Sequence, residues 1–202
     1  MKKFSTSLII TGLLTLSLLA CSKTDTSEGD LEKEKKTVLY VAGFESPGNK
    51  EAVVYWKDGV PTKLTEGADY AAAEGIAIVG NDVYVAANVR NENGNTMAVY
   101  WKNGVQHILS DKSNDSGVGK ITVVGNDVYV AGAEKIGNKY VAVYWKNGKA
   151  TKLTDGTQTA FASDITVVGT NVYVVGVENN GTHDVATYWK NGVATKISNS
   201  NK

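Results

Sequence analysis

The chain has 202 residues, a net charge of zero at pH 7, 21 glycines, two prolines and one cysteine. A single cysteine excludes an internal disulfide framework, and the balanced charge argues against binding to nucleic acid or to an anionic membrane surface. Abundant glycine with little proline is typical of many tight turns between strands.

The first 20 residues have the pattern of a secretory signal peptide. Lys2 and Lys3 form a short positive region, and the apolar stretch Leu8–Ala20 is shorter than the roughly 20 residues that a membrane span needs. The stretch ends in Leu18-Leu19-Ala20-Cys21, which resembles the lipobox of bacterial lipoproteins. The resemblance implies cleavage before Cys21, lipidation of Cys21 and attachment to a membrane through that lipid.

Residues 21–36 are predicted to be a lipidated flexible tether. Ser22 to Lys36 is polar and charged, so it cannot bury a core. In Gram-negative lipoproteins a residue other than Asp after the cysteine usually goes with the outer membrane, and Ser22 therefore favours that address in the cell envelope. Whether the protein faces the periplasm or the outside is left open.

A motif reading Tyr-Trp-Lys-(Asn/Asp)-Gly occurs four times between residues 37 and 202. Its tryptophans are 45, 44 and 44 residues apart; they are Trp56, Trp101, Trp145 and Trp189. So regular a period indicates one supersecondary unit copied in tandem. Residues 37–202 are therefore predicted to form one repeat domain.

Each unit is predicted to be an antiparallel meander of four short strands. The Asn-Gly or Asp-Gly pair of the motif favours a type I′ turn between the third and fourth strands, and pairs such as Gly80-Asn81 favour a type II′ turn between the first and second. Both faces of the third strand are largely apolar, so both should be covered by neighbouring units. We interpret the four tryptophans as core between stacked units rather than as a row of sugar-binding residues.

The segment Gly75–Ala86 resembles NHL-type and related bacterial propeller repeats, whose units run Gly-Ile-Ala-Val and then Gly-Asn-Val-Tyr-Val-Ala. The resemblance extends from Val38 to Ile197 and implies an all-β fold, a small β-propeller of about four blades. The first unit begins at its second strand, Val38–Ala42, so the first blade should lack its inner strand and the domain should have 15 strands. A β-trefoil fits less well, because it has three units.

Two ways of completing the ring follow from the missing strand. Direct packing of the first blade on the fourth, which their apolar faces allow, would give a closed monomer; we favour it because its ends can meet without a partner at any concentration. The alternative is an arc that is completed by a partner, so a dimer is not excluded.

Recognition is expected on the face that carries the longer loops. The tight turns are nearly identical in every copy, whereas the loops at the other end of the strands differ, and variable loops on a rigid scaffold usually bind ligands. The candidate binding residues from these loops are Asp69, Tyr70, Arg90, Tyr140, Phe161 and Asp184.

Signatures of catalysis are missing from the sequence. The two histidines, His107 and His183, are not part of a metal-binding pattern, no cofactor motif occurs, and no catalytic residue is assigned. Four aspartates could meet at a channel mouth, although turn capping is the simpler explanation; they are Asp69, Asp111, Asp155 and Asp164. We expect a module that binds an envelope protein or a glycan, the alternatives being a propeller hydrolase or lyase and a structural subunit of a larger ring.

Overall fold

The computed structural model describes residues 37–46 and 48–197, and these residues form strands and turns only. The predicted signal peptide, the tether and Cys21 lie outside the described residues. No helix with the length and hydropathy of a membrane span occurs in the described part of the chain. The fifteen strands are β1 Tyr40–Glu45, β2 Ala52–Lys57, β3 Val60–Lys63, β4 Ala71–Val79, β5 Asp82–Arg90, β6 Thr96–Lys102, β7 Val105–Ile108, β8 Ser116–Val124, β9 Asp127–Ile136, β10 Lys139–Lys146, β11 Lys149–Lys152, β12 Ala160–Val168, β13 Asn171–Asn179, β14 Asp184–Lys190 and β15 Val193–Lys196.

The strands form four antiparallel meanders, as predicted. Sheet 1 has three strands, β1 to β3, and sheets 2, 3 and 4 have four each, β4 to β7, β8 to β11 and β12 to β15. Within the described residues the expected 15 strands are thus present, and sheet 1 has three of them. Sheet 1 packs on sheet 2, sheet 2 on sheet 3 and sheet 3 on sheet 4. The four sheets do not close on themselves, and the favoured closed ring of one chain is not observed.

The backbone angles confirm both predicted turn types. In the four motif turns both central residues have positive φ, near 50° for the Asn or Asp and 81° to 84° for the Gly. In the turns between the first and second strands only the leading glycine has positive φ, 59° to 60° at Gly80, Gly125 and Gly169. These values are those of type I′ and type II′ turns.

Every contact between neighbouring sheets joins the same two types of sheet face. The face of one sheet that carries the motif tyrosine packs on the face of the next sheet that carries the motif tryptophan. Trp101, Trp145 and Trp189 are consequently buried between sheets, as expected of core tryptophans. Trp56 of sheet 1 is half-buried, and among the described residues no other sheet packs on its face.

The first strands of sheets 2, 3 and 4 are longer than the short strands predicted. β8, for example, has nine residues, Ser116–Val124. Each of these strands contains a β-bulge, which adds one residue and hides the alternation of apolar side chains. Four candidate residues expected in loops lie in strands: Arg90 ends β5, Tyr140 lies in β10, Phe161 lies in β12 and Asp184 begins β14.

Candidate functional site

A cavity lies where the first strands of sheets 2, 3 and 4 meet. We call it the inner-strand cavity. Its volume is about 600 Å³, and its wall comes mainly from β8 and β12, with residues of β4, β5 and β9. The side chains that matter for the argument are Tyr70, Glu74, Asn88, Arg90, Lys120, Tyr140 and Phe161.

The three β-bulges lie at this cavity and shape its wall. The register shifts fall at Glu74 in β4, between Val118 and Ile121 in β8 and at Ser163 in β12. A bulge bends its strand and redirects a side chain, and bulges are frequent beside functional sites. The strands also approach closely: a Cβ built on Gly119 would lie 2.2 Å from the carbonyl oxygen of Ser163. Glycine is therefore required for this approach of sheet 3 to sheet 4.

A polar network joins sheets 2 and 3 inside the cavity. Asn88 donates from Nδ2 to Oε1 of Glu74 at 3.0 Å, and its Oδ1 accepts from the backbone N–H of Val118 at 2.7 Å. Lys120 donates from Nζ to the carbonyl oxygen of Glu74 at 2.6 Å. These hydrogen bonds fix the side chains of the wall and leave the Glu74 carboxylate with further acceptor capacity.

Aromatic rings and a guanidinium group are part of the cavity lining. The rings of Tyr140 and Phe161 have centroids 5.0 Å apart and are tilted by 35°. Cζ of Arg90 lies 5.7 Å from the ring centroid of Tyr70, and the backbone N–H of Arg90 donates to the backbone carbonyl of Tyr70 at 2.9 Å. The spacing of the guanidinium group and the ring is that of a cation–π contact, so the lining combines apolar ring faces with a cation.

The structure brings together four of the six residues predicted from the sequence: Tyr70, Arg90, Tyr140 and Phe161 all line the cavity. Asp69 and Asp184 are not part of its wall. Asp69 is exposed and pairs with Lys50, and its pKa is lowered chiefly by that ammonium and to a smaller degree by Arg90. Asp184 is exposed and accepts a hydrogen bond from Asn179 at 2.9 Å.

Sequence reasoning missed Glu74, Asn88 and Lys120, because each was assigned to a strand or loop with no marked chemistry. One signal could have pointed to this region, since Arg90 is the only arginine among the 21 basic residues of the sequence. A single arginine at the end of a strand suggests recognition of a planar or anionic group, for which arginine is better suited than lysine.

The candidate catalytic aspartates do not converge. Asp111 and Asp155 each accept a hydrogen bond from a backbone N–H two residues later, at 2.9 Å, and these bonds lower their pKa values. Asp164 accepts from the N–H of Ile165 at 2.7 Å. Turn capping and local backbone contacts thus account for all three.

The histidines have local partners. His107 is exposed and stacks on Tyr100 with ring centroids 4.6 Å apart, while His183 contacts Thr182 and Asn180 within its own loop. Among residues 37–46 and 48–197, no three His, Cys, Asp or Glu side chains come together as a metal site would require.

Comparison with known proteins gives no further assignment: no protein-family model matches the chain, and no curated protein is significantly similar to it.

Proposed function

We propose that the protein is a lipid-anchored binding module of the cell envelope, and that the inner-strand cavity binds a short glycan. One observation carries the glycan assignment: the cavity is lined both by a pair of aromatic rings and by hydrogen-bonded polar side chains. The stacked, repeated sheets support a propeller-type arrangement like that of NHL-type repeats, in which such a cavity lies near the axis.

Sugars suit this combination of groups. A sugar ring has apolar C–H faces that pack on aromatic side chains and hydroxyls that need hydrogen-bond partners. Tyr140 and Phe161 offer the first, and Asn88 and Glu74 offer the second. The volume of about 600 Å³ falls in the range of pockets that enclose small ligands.

The charge of the cavity favours an acidic sugar over a neutral one. Among the lining residues the charged side chains are Glu74, Arg90 and Lys120, so the cations outnumber the carboxylate. The guanidinium group of Arg90 can bind a carboxylate through two parallel hydrogen bonds. We therefore expect a glycan that carries a carboxylate, such as a uronic acid.

Calorimetric titration of the purified full chain tests this assignment. The probes are oligosaccharides of uronic acids and neutral oligosaccharides of the same length. We expect binding of the acidic probe, and we expect Tyr140→Ala and Arg90→Gln each to weaken it by about tenfold or more, as loss of a stacking or charged contact does.

Phe44→Ala is the matched control, because Phe44 is an exposed aromatic residue of sheet 1 that is not part of the cavity wall. It should leave binding unchanged. Equal weakening by Phe44→Ala, or binding that does not respond to Tyr140→Ala and Arg90→Gln, would contradict a ligand in this cavity. If the chain binds an envelope protein and none of the oligosaccharides, the ligand is a protein rather than a glycan.

The predicted envelope address depends on Cys21 and has its own test. Cys21→Ala should abolish incorporation of labelled fatty acid and release the protein from the membrane fraction. Unchanged labelling of the variant would contradict the lipoprotein assignment, whatever the cavity binds.

A further inference from the structure

Two sheet faces at opposite ends of the stack are partly exposed. In each internal contact, the tyrosine face of one sheet packs on the tryptophan face of the next. Within residues 37–46 and 48–197, no other sheet packs on the tryptophan face of sheet 1 or on the tyrosine face of sheet 4. We call these the tryptophan end face, formed by Val41, Gly43 and Trp56, and the tyrosine end face, formed by Tyr173, Val175, Val177 and Tyr188.

Residues of the tryptophan end face are more exposed than the equivalent residues between sheets. Val41 pairs with Trp56 in the register that joins Val85 to Trp101 and Val130 to Trp145. Val41 is 46% exposed, whereas Val85 is 1% and Val130 is 0% exposed. The deeper part of the same face, at Ala52 and Val54, is buried, so the open part is the strip around Val41.

The tyrosine end face shows the same departure. Val175 pairs with Tyr188 in the register that joins Ala86 to Tyr100 and Ala131 to Tyr144. Val175 is 43% exposed, whereas both alanines are 0% exposed. The alanines at this position are covered by the next sheet, and the larger valine is left in contact with solvent.

We infer that two copies of this chain pack head to tail, with the tyrosine end face of one on the tryptophan end face of the other. A second copy of the chain is the partner that fits both end faces. The three internal contacts all join a tyrosine face to a tryptophan face in the same order, and a second copy supplies the matching face at each end. The two copies would form a ring of eight sheets, within the usual size range of closed sheet rings. This inference does not depend on the ligand proposed for the cavity.

Cysteine cross-linking of full chains tests the contact. In a Cys21→Ser background, one preparation carries Val41→Cys and another carries Val175→Cys, because their equivalents at an internal contact, Val130 and Ala86, belong to the same buried cluster between sheets 2 and 3. We expect a short bismaleimide to join the mixed preparations into a dimer about tenfold more efficiently than a control pair, since bound faces raise the effective concentration of the thiols.

The control pair is Val60→Cys with Val193→Cys, two exposed residues of the outermost strands β3 and β15. A dimer formed by either end-face variant alone would show like faces in contact and would overturn the inference. So would an intramolecular link in the double variant Val41→Cys with Val175→Cys, which would show closure within one chain. Cross-linking no better than the control would overturn it as well.

Light scattering gives an independent measurement on the full chain in detergent. We expect the protein mass of two chains, and we expect Val175→Asp to halve it, because an aspartate on this face would lose water on association without gaining a partner. Val193→Asp is the control and should keep the mass of two chains. A mass of one chain for the unmodified protein, or a ladder of larger species, would contradict a closed pair.

Discussion

The lysine of each Tyr-Trp-Lys-(Asn/Asp)-Gly motif links the two central strands of its sheet. Its ammonium lies over the ring of a tyrosine on the neighbouring strand, 5.3 to 5.5 Å from the centroid, in all four units. In sheets 2 and 3 it also pairs with an aspartate, Asp82 or Asp127. Repetition of this lysine is thus explained by a contact between strands.

Sheet 4 has the lysine of the motif but lacks the aspartate that pairs with it in sheets 2 and 3. Lys146 and Asn147 lower the pKa of Asp127, and Asp127 together with Tyr129 raises the pKa of Lys146 to about 12. In sheet 4 the residue equivalent to Asp127 is Asn171, which accepts a hydrogen bond from Asn191 at 2.9 Å. An asparagine therefore keeps the hydrogen bond and loses the charge.

Asp127→Asn should lower the melting temperature by no more than about 3 °C at pH 7, because exposed ion pairs contribute little. The native pKa of Asp127 is below its ordinary value of 3.8, so its stabilisation is present above pH 3.8 and is lost as the pH falls through the native pKa. Thermal melts of both proteins should converge in acid. The reciprocal change Asn171→Asp should raise the melting temperature at pH 7. A difference in melting temperature between Asp127→Asn and the unmodified protein that persists in acid would contradict an ionic cause.

The type I′ turns depend on glycine at their second position. Gly148 has φ 83°, a conformation that β-branched residues strongly disfavour. We expect Gly148→Val to lower the free energy of unfolding by about 1–3 kcal/mol, as at other strained positions. Lys149→Val is the control, because valine is the native residue at the equivalent positions Val60, Val105 and Val193. Denaturant unfolding of both variants measures the difference. Equal free energies of unfolding for Gly148→Val and Lys149→Val would contradict backbone strain at position 148.

At the scale of the strand, local signals predicted the hairpins and failed for the first strands of sheets 2 to 4. Turn pairs such as Asn147-Gly148 and Gly125-Asn126 specify their own geometry, so those hairpins could be derived from neighbouring residues alone. The bulges could not, because Glu74 and Ser163 share no residue type. Both instead lie against sheet 3, where Lys120 donates to the carbonyl oxygen of Glu74 and Gly119 lies close to that of Ser163. The polar wall of the cavity was missed for the same reason.

Close approach of two first strands explains one glycine that no turn requires. At Gly119 an added Cβ would overlap the backbone of Ser163, whereas at Gly117 its nearest neighbour would be the side-chain oxygen of Asn88 at 3.4 Å. Gly119→Ala should therefore lower the free energy of unfolding by about 1–3 kcal/mol through overpacking.

Gly117→Ala is the matched control and should be close to neutral, because an ordinary contact costs little and alanine restricts the unfolded chain. The same denaturant unfolding measures both alanine variants. Equal losses at the two positions would show that the approach of sheet 3 to sheet 4 is not what requires Gly119.

At the scale of the whole molecule, the repeat predicted the sheets and left their closure open. The faces of Tyr100 and Trp145 are both apolar in the sequence, and their packing follows from pattern alone. The two end faces carry the same residue types, so their sequence does not distinguish closure within one chain from contact between copies. That choice depends on the angle between successive sheets, which accumulates over the stack and has no local signature.

Stability should also vary along the stack, because each sheet is held mainly by its neighbours. Sheets 2 and 3 are covered on both faces, while sheet 1 has three strands and the exposed strip around Val41. Elements with fewer buried apolar contacts open at lower free energy and exchange their amide hydrogens sooner. Hydrogen exchange of the full chain, read by mass spectrometry, should therefore be slowest in β5, β6, β9 and β10 and fastest in sheet 1.

Dilution should accelerate exchange in β1, β2 and β13 if a second copy covers the end faces, and Val175→Asp should reproduce the diluted pattern at high concentration. Uniform exchange across all four sheets would show instead that the stack opens as one cooperative unit.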